Sequence, residues 1–411
     1  MAALLAAGAL ALGGGGERRS GSADEGAVVS RAHVALVARR VEALRGLRFR
    51  HRVPVAIVSP AQARREGTAD ARRGEPPARR RASEELLKLL GLLPPDADLG
   101  AIEASVFEEQ IAGYYDPRRE RLALVRGAGV DDVTLAHELA HALEDQHADL
   151  ERLGSDPRAG DDARTAQQAL VEGSATLVME RYAERWPSDA PLGDALSGLT
   201  QMTGARPLPQ YVARSLVFPY FQGEAFAQAL LDAAGGRWTL VDVAERARPP
   251  VTTAEILQPQ RWLRAQQPVP VAVPAAGRGW RRVTGSTLGA EDVAALLSPS
   301  SGPVAARSLT AGWRGGRYAL WRRGPLAEGG CAAPCRARDA ALLAVRSDTA
   351  RSARRLGVAL GRWLERSLDG RPAGDGAWRL PDGAAGAVHV DGPTVRAALA
   401  PDAAQAVRLA G

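Results

Sequence analysis

The chain has 411 residues but only two cysteines, one lysine (Lys88) and six histidines. Two thiols, Cys331 and Cys335, are too few for an all-cysteine zinc site, which takes four thiolates. Their CAAPC spacing leaves two readings open, a small-loop disulfide or two separate thiols. No stretch is long and apolar enough to be a transmembrane helix. No phosphate-binding glycine loop and no internal repeat is present. The formal charge of +6 invites a nucleic-acid reading, but no RNP, zinc-finger or helix-turn-helix signature accompanies it. Arginine replaces lysine almost throughout, and alanine and glycine abound, as codon bias in a GC-rich genome would produce. No nucleic-acid partner is therefore expected.

What is present is globular in character. The chain is 45% hydrophobic and 24% charged, ordinary values for a folded protein, and its length suits one large or two to three ordinary domains. Residues 1–20 read as a signal-like or disordered segment. Residues 2–12 form an apolar run of signal-peptide length, although the usual positive flank is missing. The expectation is an exported protein, periplasmic, envelope-bound or extracellular.

The fold class expected is α+β. Residues 21–265 read as a mainly helical domain with a small sheet. Apolar residues recur at helical spacing over 27–46, and RFRHRVPVAIVSP reads as a strand. Residues 61–82, rich in Arg, Gly and Pro, read as a loose solvated connection. Two helices come next, in ASEELLKLLGLLPP and ADLGAIEASVFEEQIAG. Asp116-Pro117 starts a turn and RLALV is a short strand. Two further helices, DDVTLAHELAHALEDQHADLERL and DDARTAQQALVEGSATLVMERYAERW, flank a break at GSDPRAG, and helix-rich sequence continues to about Trp262. Residues 266–279 are Pro-rich and read as a linker. Residues 280–411 read as a C-terminal α+β domain without a catalytic constellation.

Half of the six histidines, His137, His141 and His147, fall within eleven positions. HELAH at 137–141 is an HExxH pattern, of which chance predicts on the order of 0.005 in such a chain. On a helix, positions i and i+4 share a face. Two imidazoles there can hold one zinc ion, and the neighbouring Glu138 can reach a water beside it. The competing reading is two core histidines stacked on a helix, which would not need the adjacent glutamate.

A catalytic zinc wants three protein ligands and one open position. His147 occupies the last place of the H-E-x-x-H-x-x-G-x-x-H pattern, but Glu144 stands where that pattern has its glycine. On an unbroken helix His147 lies about 9 Å along the axis from His141 and off its face. Glu172 fits better. It is the only formal charge in TAQQALVEGSATLVM, and a lone carboxylate among apolar residues is costly unless paired or bound to metal. If the two helices fold back at Asp156-Pro157, His141 and Glu172, each about fifteen residues from the break, face each other. Gly173 would let another backbone come close. The competing role for Glu172 is partner to a buried arginine. The arrangement is that of a gluzincin, with His137, His141 and Glu172 as Zn2+ ligands and Glu138 as base.

HELAHALEDQ at 137–146 and ALVEGSAT at 169–176 also resemble a bacterial zinc-metallopeptidase family that carries HExxHALxDQ followed by ALVEGxAT. AGYYDP at 112–117, FPYFQGEAF at 218–226 and TTAEILQPQRW at 252–262 extend the resemblance over roughly residues 30–265. The resemblance implies a zincin-like domain and the same ligands.

The function expected is zinc-dependent hydrolysis of a peptide or protein substrate, with Glu138 moving the proton. The strand near Arg121–Val125 would pair with an extended substrate. Asp145, at i+4 from His141, could orient that imidazole, and Thr176 stands at i+4 from Glu172. Tyr220 and His147 are candidates for oxyanion stabilisation. Three alternatives stay open: an idle zincin scaffold that binds a partner, a metzincin-like site using His147, and hydrolysis of a non-peptide amide in wall material.

Overall fold

The computed structural model describes residues 30–110, 112–153, 156, 159–187, 208–324 and 333–411. The expected export segment, residues 1–20, and Cys331 lie outside them. The fold is α+β, with a three-stranded and a seven-stranded sheet.

The N-terminal part opens with α1 (Arg31–Arg45), whose buried stripe is Val34, Val37, Val41 and then Arg45. After β1 (Val55–Val58) come α2 (Pro60–Gly74), α3 (Pro77–Leu89) and α4 (Leu99–Gln110). Residues 61–82 are thus helical and not a loose connection. Their alanines, arginines and glutamate are good helix formers, and Pro60 and Pro77 stand at first helical positions, where the missing N–H costs nothing. The next element is a hairpin, β2 (Gly113–Asp116) and β3 (Arg121–Val125). The sheet order is β1-β3-β2, parallel at β1–β3 and antiparallel at β2–β3. The strand at Arg121–Val125 is therefore central, its backbone used on both sides. It cannot pair with a substrate, and the free edge on the hairpin side belongs to β2.

Helices α5 (Asp132–Ala148) and α6 (Asp161–Arg185) come next. Asp131 caps α5 by accepting from the Thr134 amide, satisfying one of the orphan donors at a helix start. Tyr182 near the end of α6 donates to Asp132 at the start of α5, so the two helices run in opposite directions. Helix α7 (Gln210–Ala233) packs on α6 so closely that a Cβ on Gly173 would overlap the Gly223 backbone. Glycine at both positions is what allows that approach. Short helices α8 (Thr239–Arg246), α9 (Thr253–Leu257) and α10 (Pro259–Leu263) close this part.

Residues 266–279 are mostly exposed and form neither helix nor strand. They are nonetheless fastened to the C-terminal part: the Val269 amide donates to the Arg314 carbonyl at 2.7 Å, and the Ala276 carbonyl accepts from Gln405 and Arg408. The C-terminal part contains β4 (Trp280–Thr287), α11 (Ala290–Ser301), α12 (Pro303–Thr310), β5 (Trp313–Arg323), β6 (Asp339–Ser347), α13 (Ala350–Ser367), β7 (Arg371–Gly374), β8 (Ala377–Arg379), β9 (Ala385–Asp391), β10 (Thr394–Ala400) and α14 (Ala403–Ala410). Its sheet is antiparallel throughout, in the order β4-β5-β6-β10-β9-β8-β7.

One hydrophobic core crosses between the two parts, from Val34 and Val37 on α1 to Val395 and Leu399 on β10. Polar contacts cross as well. The Trp363 indole donates to the Leu90 carbonyl, the Tyr318 hydroxyl to Asp161, and Arg214 to Glu291. The exposed strap therefore joins two bodies that share a core. Among the described residues, no helix is long and apolar enough to cross a membrane.

Candidate metal centre

The site is built where α5 and α6 cross. Helical spacing puts His137 and His141 on one face of α5, and α6 brings Glu172 onto it. The two Nε2 atoms are 3.1 Å apart, and Glu172 Oε2 lies 3.4 Å from that of His137 and 3.5 Å from that of His141. These three form the one such ligand cluster among the described residues. All three side chains are buried, at 1%, 3% and 6% exposure.

The charge balance of the triangle is set by burial and by the residues themselves. Burial opposes a charge on Glu172, but the two imidazoles outweigh it and hold its pKa down at about 2. Burial likewise opposes charge on His141, yet Glu172 raises its pKa to about 9. His137 is pushed down, chiefly by burial. Glu172 Oε2 and His137 Nδ1 are buried without a regular hydrogen bond, which is costly for polar atoms in a protein interior.

Glu138 points from the same helix turn toward the hairpin. The Tyr115 amide, on the outward edge of β2, donates to Glu138 Oε2 at 2.6 Å. Oε1 has no partner. The side chain is fully buried, and burial pushes its pKa up to about 8. Tyr220 of α7 stacks along His137, with ring centroids 6.1 Å apart.

The other expected residues do other things. Asp145 accepts from the Tyr115 hydroxyl and from the Leu150 amide, both at 2.7 Å. Its carboxylate fastens the hairpin and the end of α5, and the orienting role toward His141 is corrected accordingly. The Thr176 hydroxyl donates to the Glu172 backbone carbonyl, not to its carboxylate. Helix α5 is unbroken through His147, whose Nε2 meets the Arg48 carbonyl at 2.8 Å, at the surface. Tyr114 and Tyr115 are buried in the edge strand β2.

Two features escaped the sequence reading. One is the Tyr115 amide, a backbone group that no residue type announces. The other is Arg45, fully buried, which donates to Glu144 at 2.9 Å, Asp242 at 2.7 Å and Glu245 at 2.9 Å. Its guanidinium also lies 4.4 Å from the Trp238 ring, and Ser174 donates to the second oxygen of Glu144. A signal existed: Arg45 takes the next place in the Val34, Val37, Val41 stripe. Glu144, at the position where a glycine would have turned the chain, is held here instead.

The donor set fits a tetrahedral metal. With bonds of about 2.0–2.1 Å, ligand atoms around tetrahedral zinc stand roughly 3.3 Å apart. The observed separations of 3.1, 3.4 and 3.5 Å bracket that value. The three ligand atoms form a compact triangle, within which Glu172 Oε2 has no regular hydrogen bond.

A family model described as a domain of unknown function (DUF8575) matches residues 278–410, the C-terminal part. No curated protein and no solved structure matches the chain.

Proposed function

We propose that the protein is a zinc-dependent peptidase of the gluzincin kind. His137, His141 and Glu172 would hold the ion, and Glu138 would handle the proton. The observation that carries this reading is the triangle of three converging ligand atoms with a buried glutamate one residue along the helix. The unbroken α5 at His147 favours Glu172 over His147 as third ligand. The sequence resemblance over residues 30–265 points the same way.

Zinc held there would supply a Lewis acid that polarises a peptide carbonyl and acidifies an attacking water. The chain's own groups do the rest. Glu138 Oε1, without a partner, accepts the water proton and delivers it to the departing amine nitrogen. The Tyr115 amide fixes Oε2 and so aims Oε1. The raised pKa of Glu138 belongs to the site without a cation, and a divalent charge beside it would pull that value back down. Burial of all four groups means that a scissile bond reaches them only if the surrounding chain gives way. Strand β3 is paired on both sides, so an extended peptide would have to add to β2, whose Tyr115 amide is already donated to Glu138.

The export reading draws support from Cys335, which is disulfide-bonded, a linkage that persists in oxidising compartments. Full burial of the site favours the second reading, a metal-holding scaffold without turnover. One experiment separates the two: zinc content and hydrolysis of an unstructured protein, wild type against Glu138→Gln. The peptidase reading expects about one zinc per chain in both and hydrolysis only in the wild type. Undetectable wild-type hydrolysis across a substrate screen, with zinc bound, would leave the scaffold.

A further inference from the structure

The C-terminal part contains a second polar site, remote in sequence from α5 and α6. A cavity of about 640 Å³ lies between α13 and the turn that joins α11 to α12. Arg355, Arg362 and Arg366 line one wall, and Ser300, Ser301 and Ser308 the other. The arginines follow the i, i+7, i+11 spacing of one helix face. No acidic side chain lines the cavity. Among the described residues, no carboxylate pairs with any of the three arginines. Arg366 Nη1 donates to the Ser300 carbonyl at 2.9 Å, which fixes one guanidinium against the end of α11.

The opposite wall adds a helix start. Helix α12 starts at Gly302, which has φ +80° and no side chain to cap it. Pro303 has no amide, so Val304 and Ala305 carry the free N–H groups of that first turn. Three guanidiniums, the Ser308 hydroxyl and a helix start are all donors, while the Ser300 hydroxyl already donates to the Leu297 carbonyl. Like charges gathered without a counter-charge repel one another, and a multiply charged oxyanion relieves that repulsion.

We propose that this cavity binds a phosphoryl group. Two negative charges on one compact tetrahedral head answer several planar guanidinium forks at once, while the α12 start takes a remaining oxygen. Val358 at the cavity and Val304 on α12 are 60% and 84% exposed. The phosphoryl group can therefore arrive free in solution or on a lipid surface that these valines would touch. The site gives the region matched as a domain of unknown function a binding role, and it stands independently of the peptidase reading.

The test uses the full chain and two probes: inorganic phosphate by calorimetry, and phosphatidylglycerol vesicles by co-sedimentation against phosphatidylcholine vesicles. The expected result is saturable binding of at least one probe, weakened tenfold or more in R355E/R362E. Arg354→Glu, an exposed charge reversal on the same helix outside the cavity, should weaken binding less than twofold. Phosphate binding alone identifies a soluble ligand, and vesicle binding alone a headgroup. Absence of binding to both probes overturns the site. So does equal weakening by Arg354→Glu, which reduces the effect to general charge, or unchanged binding by R355E/R362E. Succinate binding as tightly as phosphate overturns the phosphoryl assignment.

Discussion

Helices α5 and α6 carry two buried polar clusters, and they differ in how their atoms are satisfied. Around Arg45, each terminal nitrogen and Nε donates to a carboxylate, and Glu144 receives Ser174 on its other oxygen. Around His137, His141 and Glu172, the inward-facing atoms are acceptors or tautomer-dependent nitrogens without a fixed donor. The first cluster is closed around its own cation, with one Glu245 oxygen left over, and ties α1, α5, α6 and α8 together. The second is left open at one point in space. Buried polar groups are normally paired, so a converging unpaired set marks a place for something from outside, whereas a closed set marks architecture.

Removing the central cation of the closed cluster should have the largest effect on folding. Arg45→Ala leaves buried Glu144 and Glu245 and half-buried Asp242 without their cation and should cost about 3–5 kcal/mol, the scale for breaking a buried ion pair. Urea unfolding of the metal-free protein checks this. Glu172→Gln, in the open cluster, should cost the metal-free fold far less than Arg45→Ala. Equal losses would erase the distinction between the clusters.

Helix packing beneath the open cluster comes next. Gly173→Ala drives a methyl into the Gly223 backbone and should cost about 1–3 kcal/mol or more by overpacking. Because Gly173 adjoins Glu172, the same variant should also weaken zinc binding. A stable variant with wild-type zinc affinity would contradict the close crossing.

Glu138→Gln should lower hydrolysis by at least about 100-fold, the scale of a lost general base, while leaving zinc bound. Turnover of an unstructured protein, measured beside the zinc content of the same samples, checks both halves.

The smallest effect is on pH dependence. Burial, with Glu144 alongside, pushes the Glu245 carboxyl above the ordinary carboxylate range. The folded state then holds a proton that the unfolded chain has released. The stability from this group is therefore present at mildly acid pH and is lost as pH rises from the ordinary carboxylate value toward the raised one. Glu245→Gln should flatten that part of the curve for metal-free protein. Parallel wild-type and Glu245→Gln profiles between about pH 5 and 8 would remove Glu245 from it.

The contrast also explains what could be read from the sequence. His137, His141, Glu138 and Glu172 were legible because helical period and chemical type suffice: i and i+4 converge, and a lone carboxylate in an apolar helix needs a reason. Gly173 was legible for the same reason, as a gap in a packed face. Arg45 was not, because its three partners come from two distant helices, α5 and α8, and only its place in the valine stripe hinted at burial. The helix over 60–74 was hidden by Arg and Gly content that composition alone assigns to loops. The central place of β3 depends on β1, more than sixty residues earlier, pairing beside it, and strand order is a long-range property. Asp145 illustrates the limit of spacing: i+4 from His141 is correct helix geometry, but its carboxylate turned to Tyr115 and Leu150.

The central claim is that Glu172, and not His147, is the third metal ligand beside His137 and His141. Zinc affinity by chelator competition in Glu172→Ala and His147→Ala tests it most directly. The account predicts that Glu172→Ala loses at least about a thousandfold in affinity, in line with removing one of three ligands that share roughly 10–16 kcal/mol. His147→Ala, whose imidazole sits against the Arg48 carbonyl, should lose about tenfold at most. Zinc retained in Glu172→Ala and lost in His147→Ala would contradict the account.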